Sequence, residues 1–477
     1  MEKMKLKLLK KACLFLALAA LAASCNQDAI FHIISQEVKP RKARVPGTPT
    51  NMVVFSRDYT SGGSTSPVPA VYVAASNKLH WYADPHNANA KYPDDWWDND
   101  NVGSVPQPDS SGKESIRGLA ATTSHLYALC QATDGTVSLK RIDEKQTSGW
   151  QTVPIDPSDT EAKKYPSLQK IAVSGNRIFV GATASTSAII EDNKIPCAIF
   201  FLNDTTPTSP VLKTLKSDVY MLNDAAYDGV GEHYLSTCDL YGTMVDNKLE
   251  KPEGCIYRIS DSSFAPLPSE SDLVKLSNAD TSSTAIANPQ FKGIISLENG
   301  DTLTPSTILA MDRSGTLYRV NTANFSDLGK KLTENPSSEK FTGAFAVWRD
   351  KDTGWDPNDP SVKPKPKWLL VGRGSTSTST TAGYNNGYRE FKLWKDDGNF
   401  NDTGLFSDPG TQAGSTVDNN ALFITTLGVY YVNHLFQVPK TIDPKMVLFA
   451  ATEKNGLYSY RERTEGTAKK WQWNAEE

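Results

Sequence analysis

"LYALCQATDGTVSLKRID", residues 126–143, reads as two β-runs joined by a tight polar turn. Short apolar and β-branched stretches bounded by turn residues are strand signals, and a hairpin turn of this length needs a residue with φ > 0, which the glycine of "TDG" supplies. The same unit recurs along the chain. It appears as "AVYVAASNKLHWYAD" (70–84) and, stretched, as "IFVGATASTSAIIEDNKIPCAIFFLN" (178–203) and "YLSTCDLYGTMVDNKLEKPEGCIYRIS" (234–260). It continues as "ILAMDRSGTLYRVN" (308–321), "WLLVGRGSTSTSTTAGYNNGYREFKLW" (368–394) and "VLFAATEKNGLYSYRE" (447–462). These seven units start about 50 to 80 residues apart.

Most units follow another β-run: "MVVFS" (52–56), "IRGLAA" (116–121), "KIAVS" (170–174), "FKGIIS" (291–296), "GAFAVW" (343–348) and "GVYYVNH" (428–434). A fourth, weaker run follows several, such as "GWQTVPI" (149–155) and "KKWQWN" (469–474). Four antiparallel strands repeated seven times resemble a β-propeller. One four-stranded sheet cannot cover both of its faces, so each blade uses its neighbours. Small residues in "VAAS", "GLAA" and "VGAT" suit strands crowded near an axis. The expected fold is therefore all-β, a propeller of seven four-stranded blades over residues 52–477. A pair of β-sandwiches and a ring of six or eight blades are the alternatives. No family signature of the propeller class fits. "MDRSGTLY" (311–318) lacks the Ser or Thr that the sialidase-type Asp-box has two places before its Asp, and there is no Trp-Asp repeat.

The N-terminus has a different composition. Lys3, Lys5, Lys7, Lys10 and Lys11 precede an apolar run from Ala12 to Ala23. That run is shorter than the roughly 20 residues a helix needs to cross a bilayer, and a basic start before a short apolar run describes a secretory signal. Ala22, Ala23, Ser24 and Cys25 end it, and here the segment resembles the signal of bacterial lipoproteins, in the looser spirochaete-type form with Ala22 where Leu is usual. The resemblance implies that residues 1–24 are removed and that Cys25 is acylated, anchoring the chain to a membrane of the cell envelope. An ordinary signal cut near Ser24 is the alternative. Residues 25–51, with "KPRKARVPGTPTN", read as an extended tether.

The formal charge is −4, and removal of a signal carrying +4 leaves a body near −8. A mildly acidic body argues against a nucleic-acid partner, whose footprint is a basic patch. Cys130, Cys197, Cys238 and Cys255 lie in the mature chain, where an oxidising compartment permits pairing. Cys238 and Cys255 flank one hairpin-like segment and are the candidate disulfide.

Catalytic motifs are missing from the sequence. The six histidines, His32, His80, His86, His125, His233 and His434, have no metal-ligand spacing, and there is no G-x-S-x-G elbow or phosphate-cradling loop. Carboxylate pairs such as Asp94 with Asp95 and Asp396 with Asp397 sit in polar loops. "DNDNVG" (98–103) places Asp98 and Asp100 as in a calcium loop, but Val102 replaces an oxygen ligand, so calcium is a weak expectation and no other cofactor is indicated. Trp96 and Trp97 stand amid acids in "WYADPHNANAKYPDDWWDND" (81–100). Adjacent aromatics of this kind serve sugar or peptide contact, or pack as a fourth strand of the first blade. Together these features describe a membrane-anchored exported lipoprotein whose propeller binds a protein or glycan partner. The alternative is an exported enzyme acting on glycans at the central channel. A polar funnel with convergent carboxylates, histidine or arginine is the mark of the enzyme, and a channel plugged by small apolar side chains that of the binding module.

Overall fold

The computed structural model describes residues 45–61, 64–75, 77–82, 105–145, 149–184, 197–203, 209–238, 255–264, 267–276, 290–297, 306–312, 315–323, 325, 329–333, 341–349, 366–373, 387–392, 427, 430–439, 441–443, 447–465 and 468–475. They form seven antiparallel sheets, and in each the chain passes to the neighbouring strand as a meander. Sheet 1 holds β1 (Val53–Ser61), β2 (Ser64–Ala75) and β3 (Lys78–Tyr82). Sheet 2 holds β4 (Ser115–Ala121), β5 (His125–Gln131), β6 (Val137–Asp143) and β7 (Gln151–Val153). Sheet 3 holds β8 (Ser167–Ser174), β9 (Arg177–Thr183), β10 (Cys197–Asn203) and β11 (Val211–Val219). Sheet 4 holds β12 (Met221–Tyr227), β13 (Glu232–Cys238), β14 (Ile256–Ser260) and the short β15 (Val274–Lys275). Sheet 5 holds β16 (Phe291–Leu297), β17 (Thr307–Asp312), β18 (Leu317–Arg319) and β19 (Lys330–Thr333). Sheet 6 holds β20 (Phe341–Arg349), β21 (Pro366–Arg373) and β22 (Gly387–Lys392), and sheet 7 holds β23 (Val432–Gln437), β24 (Leu448–Thr452), β25 (Gly456–Glu465) and β26 (Ala468–Ala475).

The first strands of successive sheets touch: β1 meets β4, and β8, β12, β16, β20 and β23 follow in turn. They surround the axis of a seven-bladed propeller. The second strands are buried on both faces rather than alternating, even in β13, where His233, Ser236 and Thr237 are among the buried residues. In β5, β9, β13, β17 and β24 the central residues are all buried, because sheets pack on both of their faces. The core is accordingly not one mass. Phe55, Tyr72 and Trp81 of sheet 1 pack on Ile116, Leu119 and Leu126 of sheet 2, and further clusters fill the later blade interfaces. The Gly-based turns behave as their sequence predicts. Gly135 and Gly315 have φ of 89° and 93°, and each donates its amide to the carbonyl of the residue three places earlier, closing the turn.

The ring closes between sheets 1 and 7. Val71, Val73 and Tyr82 pack against Val447, Phe449, Ala451 and Leu457. Tyr82 donates from its hydroxyl to the buried Asp443 carboxylate at 2.8 Å. A short segment before β1 clasps both sheets. The Val45 and Gly47 carbonyls accept from the Leu457 and Gly456 amides of sheet 7, at 3.1 and 2.7 Å. Five residues on, Thr50 donates its amide to the Ala74 carbonyl of sheet 1 at 2.7 Å, and its hydroxyl accepts from the Ala74 amide. Residues 45–51 therefore belong to the folded body, and the tether boundary expected at 51 moves back to about 44. Val45 is fully buried, and its neighbours' backbone groups find sheet partners that a solvated linker would not offer.

"KKWQWN" forms β26 at the outer edge of sheet 7 and does not cross to sheet 1. Trp473 is buried, donates its indole N–H to the Tyr388 hydroxyl of β22 at 3.3 Å, and meets that ring edge-on. It thus ties sheet 7 to sheet 6.

The expected Cys238–Cys255 disulfide is not formed; both are separate thiols. Register explains this. Ser236 faces Ile256 across β13 and β14, and Cys255 exchanges hydrogen bonds with Thr237. The two sulfurs are one residue out of step, and side chains alternate faces along a strand, so they point to opposite sides of the sheet. Cys238 instead approaches the Gln290 side chain, and Cys255 the Leu276 carbonyl.

Outer edges are also managed. In sheet 1 the Gln107 side-chain amide both accepts from the Leu79 amide and donates to its carbonyl, at 2.7 and 2.9 Å, pairing β3 as a short strand would. Truncating Trp473 to Ala should cost about 3–5 kcal/mol, the usual range for a buried tryptophan. The check is the urea midpoint of the body; an unchanged midpoint would mean the contact between sheets 6 and 7 contributes nothing.

Candidate functional site

Six of the seven first strands carry an irregularity in register near the start of the strand, and β20 has a second one at its end, after Trp348. In β4 the one near the start follows Ile116, in β8 Leu168, in β12 Leu222, in β16 Phe291, in β20 Phe341 and in β23 Val432. The extra residue of each bulge is left unpaired with the second strand and is turned out of the sheet. Those residues are Arg117, Gln169, Asn223, Lys292, Thr342 with the two that follow it, and Asn433. In sheet 1 Asn51 takes the equivalent place. Its amide donates to the Leu119 carbonyl at 2.6 Å and accepts from the Leu119 amide at 3.0 Å, linking sheet 1 to sheet 2 at the axis.

These residues line an axial cavity of about 580 Å³. Backbones approach closely around it. Gly343, at φ 85°, lies where a Cβ would come within 2.6 Å of the Lys292 carbonyl oxygen, so the position admits no side chain. Besides the bulge residues, the cavity presents Lys170, Asp224, Tyr227, Phe345 and His434. Arg117 and Lys170 are exposed to it. Lys292 is half-buried and reaches the Phe341 carbonyl at 3.1 Å.

Burial pushes the Asp224 carboxyl up to about 6, against the Ala225 amide and the Lys170 charge, which favour the carboxylate. Burial, helped by the Lys170 charge, pushes the His434 imidazole down to about 4, with the Met52 backbone acting the other way. The imidazole is therefore neutral at pH 7 while Asp224 is still mostly ionised there, and three cations face one carboxylate in the lining. Asp224 is the one carboxylate among the described lining residues.

Of the residues singled out in the sequence, the described Cys238 and Cys255 are not in the cavity lining. Cys25, Trp96, Trp97, Asp98 and Asp100 lie outside the described residues. Among the histidines, His434 reaches the axis, and His233 stands in a different cluster. The axial set had a signal in the sequence: "IRGL" (116–119), "LQKI" (168–171), "LNDA" (222–225), "FKGI" (291–294), "FTGA" (341–344) and "VNHL" (432–435) each put polar or small residues between two nonpolar ones.

His233 belongs to a group with the composition of a hydrolase triad. Its Nδ1 lies 2.9 Å from the Ser174 hydroxyl, and its Nε2 3.1 Å from Asp261. The geometry is that of a lock between sheets 3 and 4. Ser174 and His233 are both about 1% exposed, and the serine donates its proton to the Ala226 carbonyl at 2.7 Å. No substrate can reach that hydroxyl. Tyr227 stacks on the imidazole and Phe264 meets it edge-on, while Arg177 binds Asp261 at 3.0 Å.

No family model matches the chain, and no curated protein does. Among solved structures, the β-propeller domain of the Trilobed protease from Pyrococcus furiosus aligns at 10% identity over 77% of this chain and 98% of its own, with a TM-score of 0.32. The six-bladed Aleuria aurantia lectin aligns at 11% identity over 73% and 93%, with a TM-score of 0.31. A protein of unknown function from Bacteroides thetaiotaomicron aligns at 8% identity over 88% and 99%, with a TM-score of 0.33. The propeller assignment rests on the seven sheets themselves.

The lock makes a pH prediction. Burial holds the His233 imidazole below its ordinary value, with Asp261 opposing. The unfolded chain takes a proton near pH 6.5 that the fold resists, so stability is full above about pH 6.5 and falls below it. His233→Gln has no such group to titrate. Its deficit in melting temperature against the wild type should therefore shrink between pH 7.5 and pH 5.5; a constant deficit would contradict the assignment.

Proposed function

We propose that this chain is a membrane-anchored, exported binding module. Acyl chains on Cys25 hold it to a membrane of the cell envelope, and the propeller offers its axial cavity to a small ligand or to an exposed group of a protein or glycan partner. The observation that carries the binding role is the cavity itself. It is built by the inner strands of all seven sheets, its polar side chains are turned inward by bulges repeated around the ring, and its size lies within the roughly 300–1,000 Å³ of ligand pockets. The lipid anchor is supported by the basic, apolar and small-residue order that ends on Cys25. Two acyl chains or more give stable membrane attachment, where one gives only marginal binding.

The enzymatic reading has one observation in its favour: the channel is a polar funnel with arginine, lysine, histidine and a carboxylate, not an apolar plug. Glycoside cleavage takes two carboxyl groups across a cleft of roughly 5–10 Å. Among the described lining residues there is one, Asp224, so binding is the reading we adopt.

Two measurements test it. Cys25→Ala should move the protein from the detergent phase to the soluble exported fraction, and unchanged partitioning would remove the anchor. Asn223→Trp, which fills the cavity from a bulge, should abolish capture of ligands from an envelope extract by the tagged body. Undiminished capture by a folded Asn223→Trp protein would place binding away from the axis.

A further inference from the structure

The cationic character of the axial cavity names its ligand more closely, on the reading that the cavity is a binding site. Three cations reach it from three different blades: Arg117 from sheet 2, Lys170 from sheet 3 and Lys292 from sheet 5. The body as a whole is acidic, so this concentration runs against the background. Arg117 and Lys170 are exposed to the cavity, and among the described residues neither side chain makes a hydrogen bond or an ion pair at bonding distance, although the Lys170 charge is felt at Asp224. Surface lysines and arginines on an acidic protein usually find carboxylates. Here the one carboxylate in the lining, Asp224, is itself half-buried, and its bonded partners are the backbone amides of Ala225 and Ile294. Three cations set against one carboxylate repel one another, and a bound anion would relieve that repulsion.

The remaining lining decides which kind of anion. Gln169, Asn223 and Asn433 supply amides that both donate and accept hydrogen bonds, and Tyr227, whose ring also stacks on His233, lies beside them. Inorganic phosphate would use the cations alone. A molecule with a negative group and several hydroxyls uses the cations and the amides together, and the cavity is of the size that takes a small ligand.

We propose that the axial cavity binds acidic sugars, with Arg117 and Lys170 as the two residues that engage the carboxylate. Arginine pairs with a carboxylate through two parallel N–H groups, and lysine adds a point charge from the neighbouring blade.

The test is calorimetric titration of the full folded chain, without its signal, with galacturonate and trigalacturonate. Neutral galactose, neutral galactotriose and inorganic phosphate are the comparisons. The acidic sugars should bind, their neutral counterparts at least about tenfold more weakly, and affinity should fall as salt rises from 0.05 to about 1 M, where screening shortens to a few ångströms. Arg117→Gln and Lys170→Gln should each weaken trigalacturonate about tenfold while leaving the melting temperature in place. Equal binding of acidic and neutral sugars, no binding of either acidic sugar, or phosphate binding as tightly as trigalacturonate would overturn the proposal. Asn223→Trp separates the two levels. Should envelope capture vanish with Asn223→Trp yet stay unchanged in Arg117→Gln and Lys170→Gln, the cavity is a binding site but not one for acidic sugars. Should capture persist in Asn223→Trp, the axial reading itself fails.

Discussion

Everything in this molecule depends on closing a ring of sheets. A four-stranded sheet with apolar residues on both faces is unstable alone, and each blade here borrows cover from two neighbours. The second strands record this directly, since β5, β9, β13, β17 and β24 are buried along their length. A linear stack of seven such sheets would leave two uncovered faces at its ends. The contact of sheet 1 with sheet 7 removes both. It combines an apolar cluster, the buried Tyr82–Asp443 hydrogen bond, and the segment 45–50 that pairs with β25 at one end and with β2 at the other. The C-terminal strand contributes differently, by pinning sheet 7 to sheet 6 through Trp473 and Tyr388.

Closure also makes the site. Bringing seven first strands around one axis crowds their backbones, as the close approach of Gly343 to Lys292 shows. A bulge in six of the seven is one solution to that crowding. It bends the strand away, and at the same time it turns a residue out of the sheet. Repeated around the ring, the same local irregularity that lets the sheets meet furnishes Arg117, Gln169, Asn223, Lys292 and Asn433 to a common cavity. Packing and recognition therefore share residues, and the polar lining is held by strands rather than by loops.

Much of this architecture can be read in the sequence, and the exceptions have physical reasons. The hairpins of the second and third strands stand out because they are apolar, β-branched and joined by glycine turns. The first strand of sheet 4, "MLNDAAY" (221–227), does not, because its bulge puts Asn223 and Asp224 in the middle of a run that is otherwise apolar or small. β11 and β15 are likewise faint, being an outer strand with a half-exposed face and a two-residue fragment. The tether boundary was misplaced because "VPGTPTN" has the composition of a linker, while its backbone hydrogen bonds depend on partners about 25 and 410 residues away. The disulfide expectation failed on register, which spacing alone does not set. The axial residues belong to a motif of two apolar or small positions enclosing polar ones, visible only once the six first strands are aligned with one another.

The most direct test of ring closure is amide hydrogen exchange on the full chain and on a variant lacking residues 45–50. The clasp joins β2 to β25, so its loss should release protection in sheets 1 and 7 together, including the Gly456, Leu457 and Ala74 amides that it pairs, while sheets 3 and 4 keep theirs longest. Protection that is unchanged in both sheets, or lost in only one of them, would contradict a ring closed through this segment.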